Sequence, residues 1–267
     1  MTLSTTPPNT THKPPHIAII GAGLTGTTLA IALLARNIPF TLYEQSPRAT
    51  ELGAGLGFGP NAARALKLID HRLWEAFMRV STPRDVRSSA AAAAAAAATA
   101  QGEEEESPWI EFLDGTAEGL EPVFKVAARG GEGHGAVHRV RWLEVLMGMV
   151  PEGVVRFGKR LSGVERRGEG VVLRFEDGTS AEADAVVGCD GVKSRVRGFV
   201  VEGEGAKCGY SGKYAYRCMI PMEKAIEAIG EDRTGVSSLW VSLPGRAGNR
   251  SLGRDADWNR WATGDMS

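Results

Sequence analysis

Apolar and polar positions change period along the chain, and each change marks an element. Residues 16–20, HIAII, form a short apolar run that stops at a glycine. From Thr27 to Arg36 nearly every position is apolar, which predicts a helix covered on all sides, and Asn37 stops it. Pro39-Phe40-Thr41-Leu42-Tyr43 read as a second strand that ends at Glu44. Leu66, Ile69, Leu73, Phe77 and Val80 then recur at spacings of 3, 4, 4 and 3. That spacing predicts one amphipathic helix opening at Pro60-Asn61. Further on, Val172, Arg174 and Phe175 belong to an alternating strand that turns at Asp177-Gly178. The chain then enters a buried strand, Ala185-Val186-Val187-Gly188, which runs into Asp190-Gly191. Helix and strand periods alternate, so the fold class is α/β.

Periodicity fails in three places. Residues 1–15 hold four Pro and five Thr with no apolar core, the pattern of a disordered tail and not of a secretory signal. Ser88 and Ser89 lead into nine alanines and, after Thr99, Ala100, Gln101 and Gly102, into four glutamates (Glu103 to Glu106). A run of alanine with no apolar stripe has nothing to bury, so 88–107 reads as a low-complexity surface insertion. After Trp240 the chain turns to Gly, Arg, Asn and Asp, and 241–267 reads as an irregular tail.

Composition narrows the class. The 267 residues carry a net charge of -1, with 43% hydrophobic and 24% charged positions, the mix of a globular protein with chain enough for a core. Balanced charge gives no electrostatic reason to expect nucleic acid or an acidic membrane as partner. Outside the nine alanines, the longest apolar run, LAIALLA, falls far short of the ~20 residues that cross a bilayer. Three cysteines, Cys189, Cys208 and Cys218, lack CxxC spacing. They fit neither a disulfide framework nor a zinc site, and reduced thiols predict a cytoplasmic protein. The five histidines show no ligand spacing either, so no metal site is expected. Glycine alone is in excess, at 34 residues.

Part of that excess has a chemical reading. Gly21-Ala22-Gly23-Leu24-Thr25-Gly26 follows the first strand at once and opens the first helix. Gly21 permits the tight turn, Gly23 lets the backbone approach a pyrophosphate, and Gly26 lets the helix pack closely on the sheet. The helix start offers N–H groups to the phosphates. Glu44 follows Gly26 by 18 residues, at the end of the second strand. An acid there accepts hydrogen bonds from ribose hydroxyls. Strand, GxGxxG, helix, strand and acid together predict an adenine-dinucleotide site.

Past Glu44, glycines alternate at Gly53, Gly55, Gly57 and Gly59 before Pro60-Asn61. With Glu44 and the GAGLG stretch ending at Gly57, this segment resembles the flavin-dependent aromatic-ring monooxygenases, and most closely the salicylate hydroxylase-like enzymes of fungi. VHRVRWLEVL resembles the family's His-Arg block, whose arginine contacts FAD, and this carries over to Arg139. The segment from Val171 to Arg197 resembles the second fingerprint, the Asp-Gly motif, here Asp190 and Gly191 with Ser194, Arg195 and Arg197. GYSGKYAYRCMIPMEKA resembles the strand that opens the substrate domain, with Tyr216 and Arg217 matching the family's Tyr-Arg pair. The resemblance covers 16–240.

The resemblance implies a Rossmann-like FAD-binding domain of the p-hydroxybenzoate hydroxylase type over 16–205. A partial β-sheet substrate domain begins over 206–240. It implies FAD as cofactor, NADH or NADPH as co-substrate, and O₂ and a small aromatic substrate as partners. Hydroxylation would proceed through a flavin hydroperoxide, with Arg217 as the catalytic residue beside the substrate's carboxylate or phenolate. The chain departs from the family at its end. The third fingerprint, a Gly-Asp-Ala-Ala-His block, is missing, and Gly264-Asp265 is followed by only Met266-Ser267. A truncated enzyme, or a catalytically incomplete nucleotide-binding fragment, is the expectation drawn from that departure; a nicotinamide-linked reductase is the remaining alternative.

Overall fold

A computed structural model describes residues 14–48, 55–83, 106–114, 122–129, 135–201, 208–210, 220–234 and 238–241. The chain begins β1 (Ile17–Ile20), α1 (Leu24–Leu34), β2 (Phe40–Tyr43), β3 (Gly55–Phe58), α2 (Pro60–Ile69), α3 (His71–Val80) and β4 (Thr82–Pro83). It continues with β5 (Glu106–Asp114), β6 (Pro122–Arg129), β7 (Gly135–His138), α4 (Arg139–Gly148), β8 (Val155–Arg156), β9 (Leu161–Arg167), β10 (Gly170–Phe175), β11 (Ser180–Ala183) and β12 (Ala185–Gly188). The last elements are α5 (Val196–Val200), α6 (Met222–Ile229), α7 (Glu231–Thr234) and β13 (Ser238–Val241). Two compact units result, neither continuous in sequence. One takes residues 1–51 and 140–211, the other 52–139 and 212–267.

In the first unit, β12, β1, β2 and β8 form a parallel sheet in that order. Ala18, Ile19 and Ile20 of β1 are all buried, because both faces of this strand are covered. Helix α1 packs on β1 and β2. On the other face, Ala18, Ile20 and Tyr43 join Leu161, Leu173, Phe175, Ala183 and Val196 in one core. Most of those partners come from the antiparallel sheet β11-β10-β9. Tyr43 and Phe175 meet ring to ring at 4.9 Å. Full burial of a side chain such as Ile19, Ile31 or Leu42 contributes about 1.5–3 kcal/mol each. The alternation at 170–175 is thus real, but the hairpin closes on Ser180–Ala183, and β12 joins the other sheet. Contrary to the sequence expectation, β12 is half exposed, with Val187 at 37%, since it is the sheet's edge.

The second unit holds two three-stranded sheets, β3-β7-β4 and β13-β5-β6. The single amphipathic helix expected from Pro60 onward is two. Asp70 is extended (φ -163°, ψ 124°), and its carboxylate accepts from the Arg72 N–H, so it ends α2 and caps α3. The apolar stripe survives the break: Leu66, Leu73 and Phe77 are all buried. Phe77 packs against Phe58 of β3 and against Trp74. The Ala/Glu insertion lies outside the described residues except for Glu106 and Ser107, which open β5. The segment read as the opening substrate strand ends in helix α6, from Met222.

Candidate functional site

The parallel pairing of β1 gathers the sequence-remote motifs at one end of the sheet. Ile20 stands opposite Gly188 on one side and Tyr43 on the other. Gly21, Glu44 and Cys189 therefore leave the sheet side by side. The Gly21 N–H donates to the Tyr43 carbonyl at 2.7 Å, and the Cys189 N–H to the Ile20 carbonyl at 2.8 Å. Gly21 has φ +102°, and a β-carbon on it would lie 2.5 Å from the Cys189 carbonyl oxygen. A β-carbon on Gly26 would overlap the Gly21 carbonyl oxygen and stand 3.2 Å from the Cys189 β-carbon. The two fingerprints are thus packed on each other, and glycine is the residue that permits it.

Helix α1 opens at this end. Gly23, its N-cap, is extended and supplies no side-chain cap, and the first turn holds no acidic residue. The N–H groups of that turn and the positive end of the helix dipole lie at the end of the sheet where Gly21 leaves β1, an arrangement suited to an anion. Glu44 is half-buried beside this turn. One carboxylate oxygen accepts from the Ala22 N–H and the other from the Ser46 N–H, both at 2.8 Å. Two donors leave acceptor capacity on both oxygens, the chemistry a ribose diol requires. The set as a whole (uncapped helix start, close backbone, held carboxylate) fits the adenosine diphosphate half of FAD.

Asp190 faces the other way. Its Oδ1 accepts from the Ser194 hydroxyl at 2.7 Å, and its Oδ2 from the Arg195 and Val196 N–H groups at 2.6 and 3.3 Å. The carboxylate therefore closes the turn into α5. Gly191 takes φ +74° in that turn, and the Arg197 guanidinium donates to the Gly191 and Val192 carbonyls at 3.1 and 3.0 Å. Asp190 fixes the shape of the turn, and the Gly191 backbone is what the turn presents.

Cys189 sits between the two fingerprints. Burial pushes its thiol pKa up, and the neighbouring Asp190 charge adds to the rise. Less thiolate at neutral pH means slower attack on electrophiles. Iodoacetamide at pH 7.5 should label exposed Cys208 before Cys189, and peptide mass spectrometry over time reads the order. Equal labelling rates would mean that Cys189 is more open than its packing implies.

Of the residues singled out in the sequence, Gly21, Gly23, Gly26, Glu44, Asp190 and Gly191 lie in the first unit around one sheet end. Gly57 and Arg139 belong to the second unit. There Gly57, on β3, pairs with Ala136 of β7. The same ladder ends at Gly55 opposite His138, so Arg139 starts α4 one residue beyond it. Arg217 and Tyr216 lie outside the described residues. Sequence reasoning missed Thr27 and Ser46, and named Ser194 without its bond to Asp190. Thr25, Thr27 and Thr28 all place hydroxyls in the first half of α1, so nothing in the sequence singled out Thr27.

A central parallel strand that feeds a glycine loop and a helix start, with an acid closing the next strand, defines a dinucleotide-binding α/β fold. Residues 15–210 match the FAD binding domain family, and the chain belongs to it. A protein named FAD-dependent monooxygenase orf3, from Aspergillus niger, is 42% identical over 233 residues, covering 82% of this chain and 47% of its own length. Salicylate hydroxylase asL1 from Sarocladium schorii is 35% identical over 231 residues, covering 84% of this chain and 45% of its own. A solved salicylate hydroxylase substrate complex superposes with TM-score 0.52 at 26% identity, over 69% of this chain and 38% of that one. The chain spans about half the length of the curated relatives it matches. Among the described residues, no helix is long and apolar enough to cross a membrane.

Proposed function

We propose that this chain carries the FAD-binding part of a monooxygenase that hydroxylates a small aromatic, salicylate-like substrate at the expense of NADH or NADPH and O₂. The observation that carries the reading is the meeting of Gly21–Gly26, Glu44 and Asp190-Gly191 at one end of the parallel sheet. The names of the relatives support the reaction class.

The first turn of α1 and the Gly23 backbone bind the diphosphate, and Glu44 binds the ribose hydroxyls. The Gly191 backbone serves the flavin-bearing half; for Gly57 and Arg139 the role in holding FAD is the one the resemblance implies. Arg217 orients the substrate by a charge-assisted hydrogen bond to its carboxylate or phenolate. FAD held there would supply the redox chemistry between the nicotinamide and O₂.

Purification tests this directly. Yellow protein, with NAD(P)H oxidation stimulated by salicylate and a hydroxylated ring product, is the expected result. Glu44→Ala should weaken FAD at least about tenfold, the loss expected for charged hydrogen bonds of about 1.5–3 kcal/mol. Protein that takes up FAD but oxidises no NAD(P)H would reduce the reading to nucleotide binding. Protein that takes up neither FAD nor ADP would end it.

A further inference from the structure

We propose that Thr27 is a positioning residue for the nucleotide's diphosphate, its buried hydroxyl aiming the Gly23 N–H at the open end of the sheet. The inference rests on the FAD-binding reading above.

Thr27 lies within α1 (LTGTTLAIALL) with 0% of its surface exposed. A hydroxyl buried there costs free energy unless it is bonded, and valine would fill the same space. The hydroxyl lies 2.9 Å from the Gly23 carbonyl oxygen and 3.1 Å from the Ala22 carbonyl oxygen, with the Met147 sulfur at 3.8 Å. Gly23 O already receives the Thr27 backbone N–H at 3.0 Å. The single hydroxyl proton is shared between two acceptors: the Gly23 carbonyl, which is ordinary helical back-bonding, and the Ala22 carbonyl, which lies before the helix start in the glycine loop.

The bond to Ala22 has a geometric consequence. Ala22 is held at both polar ends: its N–H donates to Glu44, and its C=O receives Thr27. The described peptides are all trans, and in a trans peptide the C=O and the next N–H point to opposite sides. Drawing the Ala22 carbonyl toward the body of α1 turns the Gly23 N–H away from it, toward the end of the sheet where Gly21 leaves β1. Glu44 and Thr27 thus fix the two successive peptides on either side of the Ala22 α-carbon before any ligand arrives. Such preorganisation lowers the ordering cost of binding.

Two variants of the 267-residue chain isolate the hydroxyl. Thr27→Ser and Thr27→Ala both delete the methyl group, so the packing loss cancels between them. FAD, ADP and adenosine are titrated against each. Thr27→Ser should bind FAD and ADP within about twofold of wild type, and Thr27→Ala about five- to tenfold more weakly, the effect of one hydrogen bond. Adenosine, which lacks phosphate, should not distinguish the two. Thr27→Ala matching Thr27→Ser on ADP overturns the proposal, and so does an equal loss for adenosine, which would make the hydroxyl merely structural. The Ser/Ala comparison on ADP decides the matter even where adenosine binds too weakly to titrate. If wild type binds neither FAD nor ADP, the FAD-binding reading falls with it; if wild type binds and the two variants tie, this inference falls alone.

Discussion

Replacing Gly26 by alanine is expected to lower the unfolding midpoint of the first unit by about 10 °C, from a loss of about 3 kcal/mol. FAD binding should be lost with it. The added methyl group overlaps the Gly21 carbonyl oxygen and meets the Cys189 β-carbon at 3.2 Å. The first of those is backbone and cannot rotate away, so relief requires moving α1 or the glycine loop. Either movement shifts the first-turn N–H groups that the diphosphate would meet. Gly55→Ala is the matched control: no atom lies within 4 Å of its added β-carbon, and a change of less than about 0.5 kcal/mol is expected there. Differential scanning fluorimetry and FAD titration read both. A Gly26→Ala protein that melts within about 2 °C of wild type would show that the two fingerprints can separate without cost, a difference of well under 1 kcal/mol.

The dinucleotide end of the fold was legible because its signals are local. Strand, glycine spacing and acid sit within 16–44, and each glycine has a steric reason that sequence alone can supply. What was not legible is non-local. Ser180–Ala183 closes the hairpin while Ala185–Gly188 crosses to pair with β1; both strands are only four residues long, and the partner of so short a strand is set by tertiary contacts that its own residues do not name. The break at Asp70 was hidden because the 3, 4, 4, 3 spacing carries straight through it. Periodicity reports which face is buried and is blind to a capping carboxylate that fits the stripe. Asp190 shows the reverse problem. Its motif follows the strand that pairs with β1, but a sequence cannot tell a carboxylate turned outward from one turned back on its own loop.

That distinction sets the second large effect. Asp190→Ala should weaken FAD by about tenfold or more and cost about 2 kcal/mol of stability, the loss expected for a capping carboxylate with several donors. Three donors would lose their acceptor: the Ser194 hydroxyl and the Arg195 and Val196 N–H groups. Asp190→Asn retains one carbonyl oxygen but turns an NH₂ group toward a donor, so it should fall between wild type and alanine. Because the carboxylate acts through the turn, affinity and local order should fail together. Hydrogen exchange is expected to speed up across 190–201 in Asp190→Ala, while β9–β11, held by its own ladder, keeps its protection. The Arg197 contacts to Gly191 and Val192 should weaken in parallel, since they depend on the same turn. A variant that loses FAD while exchange over 190–201 stays at the wild-type rate would mean that Asp190 touches the cofactor itself, and its inward hydrogen bonds would then be only the resting arrangement.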